Sequence, residues 1–301
     1  MPLILSLDGG STSLKIGLLD TESQRIISQL TINRAFSYKT ITDPQGVQYL
    51  DEILSQLPKE GIKKIVLGIS GADTETEISD CSNKISGHFK TQYPEAEIKI
   101  FNDVDLVLEN TGSTLKNKIA IISGTGSNCV GINENGIKAK AGGLDYILSD
   151  QGSGYNIGLL ALRSAVESED GRSKKTDLQN EIFKQLSVNS GKELKKIVYN
   201  KDFAKKDFAK LALVVVKMAN SKDQTSIQIL QQAGYELFKH VKAVALNLEL
   251  RDKEFLVIQA GSMFKVKDVR DPFEEMVKDY FPGVLLELPK NPSFWGAINL
   301  V

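Results

Sequence analysis

The chain has 301 residues, of which 41% are hydrophobic and 25% charged, enough length and apolar content for two globular domains. Its 37 basic and 38 acidic residues leave a net charge of −1, so no global field draws it to nucleic acid or an anionic membrane, and neither is expected as a partner. No apolar run approaches the roughly 18 residues that span a bilayer. The opening MPLILSLDGG lacks a basic start followed by an apolar stretch, so a cytoplasmic location is expected. Two cysteines, Cys81 and Cys129, are too few for a disulfide framework or a metal site of their own and are read as free thiols.

Strands are predicted at LILSL (residues 3–7), KIGLLD (15–20) and RIISQLTI (25–32), joined by the turns DGGSTS and TESQ into an antiparallel meander. A helix follows, with Thr42 or Asp43 as cap and Val47, Leu50, Ile53 and Leu54 at helical spacing, and then the strand KKIVLGISG. An amphipathic helix from Glu75 to Phe89 leads to the strand EIKIFND (97–103), completing an α/β lobe with crossover helices. The pattern then restarts: KIAII, the glycine turn SGTGS, NCVGIN, the turn ENG and IKAKAGG repeat the order of the first 32 residues, which indicates an internal duplication. Beyond it the sequence predicts a helix from about Ser153, a polar Lys-rich region from Glu167 to Lys206, and helices at FAKLALVVVKMAN and at SIQILQQAGYELFKHVKAVALNLEL. A strand EFLVIQAGS, a helix near Pro272 to Tyr280, a strand VLLEL and a terminal PSFWGAINLV complete the chain. The expected lobes are residues 1–114 plus 289–301, and 115–288.

Glycine turns at strand ends expose backbone N–H groups, and added Ser and Thr hydroxyls make such a turn a phosphate cradle. Both DGGSTS and SGTGS fit, and so would ordinary hairpin turns; neither has P-loop or Rossmann spacing. What separates them from single turns is that they match each other within a duplicated pattern. Asp8, before the first turn, is a candidate for holding Mg²⁺ directly or through water, or else a turn cap. Asp103, at the end of a strand, is a candidate general base for a hydroxyl attacking a γ-phosphate, or else the cap of the following helix, a role that Asn102 or Asp105 could fill. Asp150 and Gln151, in a glycine-rich stretch, could bond a polyhydroxylated ligand, with Ser153 as a helix cap. His88 and His240 lie in predicted helices with no partner motif and are read as structural or surface residues.

In this order, DGGSTSLKIGLLD, the strand-ending ND, ISGTGSN, GGLDYILSDQGSGYNIG and VIQAGS resemble the sugar kinase, heat-shock chaperone and actin superfamily over nearly the whole chain. Within it the resemblance is to the N-acetylglucosamine kinase family and the related BadF/BadG/BcrA/BcrD-type ATPases. It implies an α/β fold of two actin-like, ribonuclease H-like lobes. Each is a five-stranded mixed sheet flanked by helices, with ATP and sugar in an interlobe cleft and the C-terminal helix crossing back to the first lobe. It further implies that Gly9, Gly10, Ser11, Thr12, Ser13 and Lys15 form the first phosphate loop, with Asp8 near Mg²⁺. Gly124, Thr125, Gly126 and Ser127 form the second loop, with Thr125 nearest the transferred group, and Gly261 and Ser262 the adenosine-side turn. Asp103 matches the catalytic base. The sugar positions are Asn33, Ser70, Gly71, Asn102, Asp103, Gly143, Leu144, Asp150 and Gln151.

Two positions depart from the family pattern. GGLD stands where Gly-Gly-Trp-Gly is usual, removing an aromatic wall at Leu144, and DQGS replaces Asp-Glu-Gly-Ser, placing Gln151 where a carboxylate is usual. The implied activity is ATP- and Mg²⁺-dependent phosphorylation of N-acetylglucosamine or another N-acetylhexosamine, with glucosamine, another hexose or N-acetylmuramate as further candidates. The alternatives are an ATPase that activates another enzyme and a non-catalytic nucleotide-binding protein. The activator needs cysteines bridging an iron–sulfur cluster, a motif Cys81 and Cys129 do not form. A homodimer is expected by analogy alone.

Overall fold

The structure is a computed structural model and describes residues 3–43 and 48–300. The chain divides into two compact units, Met1–Ser113 with Pro289–Val301, and Thr114–Leu288. Among the described residues no helix is long and apolar enough to cross a membrane.

The first unit is a sheet of order β3-β2-β1-β4-β5, from strands β1 (Leu3–Gly9), β2 (Leu14–Asp20), β3 (Arg25–Ile32), β4 (Ile62–Ile69) and β5 (Glu97–Asn102). The β1–β2 and β2–β3 pairs are antiparallel, and the β1–β4 and β4–β5 pairs are parallel. Parallel central strands carry helices on both faces, which is why LILSL reads as an unbroken apolar run. On one face Leu5, Leu7, Ile65 and Leu67 pack with Leu50 and Ile53 of α2 (Gln48–Ser55) and with Cys81, Ile85 and Phe89 of α3 (Glu75–Gln92). A short helix α1 (Tyr38–Thr42), capped by Ser37, precedes α2; the sequence did not predict it. Val47 of the predicted helix lies outside the described residues.

On the opposite face Ile4, Leu19, Val66 and Leu106 close around Phe294 and Ala297. Leu106 belongs to α4 (Asp103–Leu108), and the other two to a 3-10 helix, Ser293–Leu300, at the end of the chain. The close approach is possible because Gly17 of β2 has no Cβ, which would otherwise collide with the Phe294 ring.

The second unit repeats the first strand for strand: β6 (Lys118–Ser123), β7 (Ser127–Ile132), β8 (Lys138–Gly142), β9 (Phe255–Ala260) and β10 (Val284–Glu287) lie in the order β10-β9-β6-β7-β8. Here too the hairpin pairs are antiparallel and the β6–β9 and β9–β10 pairs parallel. Its helices are α5 (Asp145–Leu148), α6 (Gly154–Asp170), α7 (Asp177–Gln185), α8 (Gly191–Val198), α9 (Lys205–Asn220), α10 (Gln224–Asn247) and α11 (Lys267–Tyr280). The Lys-rich region read only as polar contains α7 and α8, started by Thr176 and Ser190 caps and anchored by Leu178, Ile182, Phe183 and Leu194. Pro272 lies inside α11, not at its start.

Phe294 is 2% exposed, and its replacement would open a cavity between sheet and α4. Phe294→Ala is expected to cost about 3–5 kcal/mol, measured as a lowered midpoint of chemical unfolding. An unchanged midpoint would show that this face of the sheet is not held by the C-terminal segment.

Candidate functional site

In the first unit the carboxyl ends of β1, β4 and β5 are level: Gly9 pairs with Ile69, and Ile69 with Asn102. Loops leaving this edge are therefore neighbours, about 4.8 Å apart per strand. The β1–β2 turn spans Gly10 to Ser13 and is closed by the Gly10 N–H donating to the Ser13 carbonyl at 2.9 Å. Ser11 and Thr12 at its tip are exposed. Gly9 is required by packing, since a Cβ there would collide with the Phe36 carbonyl oxygen.

Asp8 is 8% exposed. Register sets Lys15 directly across from it on β2, and the Lys15 ammonium donates to Asp8 Oδ2 at 3.1 Å. The Ser293 hydroxyl donates to the same oxygen.

Asp103 is the first residue of α4. The cap is Asn102, whose Oδ1 accepts from the Val104 N–H at 3.0 Å and whose Nδ2 donates to Asp73 Oδ1 at 2.8 Å and to the Ala72 carbonyl at 3.0 Å. Of the capping alternatives, Asn102 fills that role, so Asp103 is not the cap. Gly68 allows the start of α4 to settle on β4, because a Cβ there would lie 3.1 Å from Asp103 Cα.

Ser70 and Gly71 follow β4 beside the first turn: the Ser70 N–H donates to the Gly9 carbonyl at 2.8 Å, and the Ser70 carbonyl accepts from Tyr38 N–H at 2.9 Å. Asn33, exposed just after β3, starts at the edge of the sheet. The chain then doubles back, with Phe36 N–H donating to the Gly10 carbonyl at 3.0 Å and Ser37 bridging Ser70. Residues 33–38 thus form a strap across the carboxyl edge from β3 to β4. Asn33 follows one edge strand, β3, and Asp103 the other, β5, and the strap's role could not be read from TINRAF.

In the second unit the turn Gly124–Gly126 joins Ser123 and Ser127, which pair directly. Three elements hold it. The start of α6, capped by Ser153, donates Gly154 N–H to the Gly124 carbonyl at 2.8 Å and Tyr155 N–H to the Thr125 carbonyl at 3.2 Å. Asp150, 4% exposed, accepts from the Ser127 N–H at 3.1 Å, while the Ser127 hydroxyl donates to the Gln151 carbonyl at 2.8 Å. Lys205 at the start of α9 lies 2.6 Å from Asp150 Oδ2 and 2.6 Å from Asp145 Oδ1. Burial alone would depress the Lys205 ammonium, but its bonds to Asp145 and Asp150 outweigh this and hold it above its ordinary value. Asp150, read from sequence as a sugar contact, thus has both carboxylate oxygens engaged beneath the second turn. Lys205 carried no sequence signal, because its partners are 55 and more positions away.

Gly261 meets the turn from β9, its positive φ of 99° turning it against the backbone of Ser123, where a Cβ would collide; Ser262 beside it is exposed. Gly143, with φ of 72°, packs on Asn128, and Leu144 is 62% exposed. The Gln151 side chain donates to the Leu148 carbonyl at 3.4 Å. Gly143 follows β8, three strands from β9, so it and Gly261 flank the turn on opposite sides. His240 stands beside Gly142, and burial lowers its imidazole below the ordinary range, in keeping with a structural residue. His88 pairs with Asp51 at 2.8 Å on the surface. Cys81 and Cys129 are both free and buried; burial pushes the Cys81 thiol up to about 11 and that of Cys129 higher, away from thiolate chemistry.

Lys205→Met would leave the Asp150 carboxylate buried without its cation. The expected cost is about 3–5 kcal/mol in chemical unfolding, with a large part regained in the double variant Lys205→Met/Asp150→Asn. Equal stability of the parent and the single variant would refute the pairing.

The sequence profile of the BadF/BadG/BcrA/BcrD ATPase family matches residues 5–298. The N-acetylmuramic acid/N-acetylglucosamine kinase of Clostridium acetobutylicum is 30% identical over 99% of this chain and 97% of its own length. The N-acetyl-D-glucosamine kinase of Dictyostelium discoideum is 23% identical over 98% of this chain and 97% of its own. Among solved structures, a candidate N-acetylglucosamine kinase from Chromobacterium violaceum shares the fold with a TM-score of 0.72 at 22% identity, covering 100% of this chain and 99% of that one. With its profile matched across both units, the chain belongs to the BadF/BadG/BcrA/BcrD ATPase family.

Proposed function

We propose that this protein transfers the γ-phosphoryl group of ATP to a hydroxyl of an amino sugar, with N-acetylglucosamine as the first candidate and N-acetylmuramic acid, which carries the same ring, as the second. The observation that carries the reading is Asp103: a carboxylate on the first residue of α4, level with the first glycine turn, in a chain related over its whole length to kinases named for these sugars.

In this reading Asp103 accepts the proton of the attacking hydroxyl. The turn Gly10–Ser13 and the turn Gly124–Ser127 present backbone N–H groups and hydroxyls to phosphate oxygens. Thr125 is the residue nearest the transferred group. Lys15 neutralises phosphate charge, and Gly261 and Ser262 shape the adenosine side. Asn33, Ser70, Gly71, Asn102, Gly143, Leu144 and Gln151 contribute to the sugar side, Asn102 through the loop at Ala72–Asp73 that it holds. Asp150 is assigned a supporting role, fixing the Ser127 amide with Lys205.

The donor set at Asp8 suits Mg²⁺. The ion favours one or two carboxylates, water and substrate phosphates over an all-protein cage, and Asp8 supplies a hard oxygen ligand flanked by a hydroxyl. Bound there, Mg²⁺ would offset the negative charge that builds on the phosphates.

Purified protein is expected to consume ATP in the presence of N-acetylglucosamine or N-acetylmuramic acid in a coupled assay that also tests glucosamine, glucose and mannose. Turnover no higher with any sugar than without one would defeat the kinase reading. Asp103→Asn should lower kcat by about 10²- to 10⁴-fold while nucleotide affinity and melting temperature stay near those of the parent. Full activity of that variant would remove Asp103 from the role of base.

A further inference from the structure

We propose that Ser293 is a positioning residue for Asp8: its hydroxyl fixes the carboxylate for a divalent cation and frees Lys15 to turn to phosphate. The inference rests on the reading of Asp8 as the metal-side carboxylate of a sugar kinase.

Two donors share one oxygen of Asp8, and they differ in kind. Lys15 reaches Oδ2 with a long, flexible stem, and its side chain is 44% exposed. Ser293 has a single side-chain torsion and sits on a segment clamped on both sides. The buried Asn110 donates Nδ2–H to the Asn291 carbonyl at 2.8 Å and to the Pro292 carbonyl at 3.1 Å, and Trp295 N–H closes back on Pro292 at 2.9 Å. Phe294 is locked against Gly17, and Gly296 lies so close to α4 that a Cβ would collide with the Leu106 carbonyl oxygen. Asn299 Nδ2 donates to the Glu109 carbonyl at 2.8 Å, fastening the segment to the far end of α4, the helix that Asp103 begins.

When an anionic ligand competes for Lys15, the ammonium can move, because its stem is mobile and its charge is drawn to phosphate. The serine cannot follow. A carboxylate that lost its only donor would be a nearly buried charge free to rotate; one that keeps a neutral hydroxyl on one lone pair stays oriented, with its other lone pairs open. A neutral donor also adds no positive charge against an incoming cation. Such supporting hydrogen bonds to a ligating carboxylate tune metal affinity without touching the metal. Ser293, in PSFWGAINLV, lies 285 positions from Asp8, which is why neither phosphate motif pointed to it.

The test compares the parent with Ser293→Ala and Ser293→Thr in two assays. One measures the Mg²⁺ dependence of N-acetylglucosamine phosphorylation at saturating ATP and sugar; the other measures ADP affinity by calorimetry with and without Mg²⁺. Ser293→Ala should raise the Mg²⁺ needed for half-maximal rate by about tenfold and weaken ADP binding by a similar factor only when Mg²⁺ is present. Sugar KM and metal-free ADP affinity should not move, and Ser293→Thr should restore most of the loss. An unchanged Mg²⁺ dependence in both assays would overturn the proposal. An ADP affinity that falls equally with and without metal, or in step with the melting temperature, would also overturn it, since a purely structural serine would behave so. Failure of the parent to phosphorylate any amino sugar would sink the kinase reading, while the calorimetric arm, which needs no sugar, would still decide the role of Ser293.

Discussion

A nearly buried carboxylate must be met by hydrogen-bond donors or its desolvation goes uncompensated, and each unit of this protein holds such a group at its glycine turn. In the first unit the carboxylate is Asp8, and in the second it is Asp150. Each is paired with a lysine, and each pair sits at the base of a glycine turn. Gly126 is bare of a side chain because a Cβ would stand 2.9 Å from Asp150 Oδ2 and 3.1 Å from Lys205 Nζ. The start of α6 delivers Asp150 and Gln151 to the turn from the loop before it.

The two sheets have the same order and directions, yet the charges are not duplicated with the backbone. Sheet register makes Asp8 the residue before the last of β1, and its counterpart in β6 is Ile122, which carries no charge. Asp150 reaches the second turn through a loop and accepts an N–H of the turn itself, so it stiffens the backbone. Asp8 instead accepts from two side chains, the Lys15 ammonium and the Ser293 hydroxyl. One carboxylate is bound into a turn backbone and the other is met by side chains. In the proposed reading, that asymmetry lets one half of a duplicated scaffold handle a cation and the other phosphate oxygens.

The strands were legible in the sequence because Val, Ile and Leu runs end at Gly, Asp and Ser clusters, and the restart at Lys118 was legible because those clusters recur in the same order. The short helices in the Lys-rich region were not, since Leu178, Ile182 and Leu194 are too sparse to register as an amphipathic stripe against so many lysines. At the candidate site the glycine motifs could be seen, but the reasons for them could not. Gly9 answers to Phe36 and Gly261 to Ser123, contacts made only once the strap has crossed the sheet edge and β9 lies beside β6. Lys205 and Ser293 were invisible for the same reason. Each is an ordinary residue in an ordinary stretch, and its importance comes entirely from the buried oxygen it reaches.

The departures at Leu144 and Gln151 can be weighed on the same physical grounds. Leu144 is exposed and its N–H donates to the Ser149 hydroxyl, so its side chain is free of packing duties and open to contact with a ligand. Gln151 serves the second turn through its backbone carbonyl, a function independent of whether its side chain ends in an amide or a carboxylate. Neither change disturbs the Asp150 pair or the Asp8 pair. Substitutions that leave every buried charge satisfied alter what the surface presents while preserving the scaffold beneath. In the proposed reading they bear on which sugar is chosen, by changing an apolar contact and a hydrogen-bonding group, and leave the two glycine turns and Asp103 as they were.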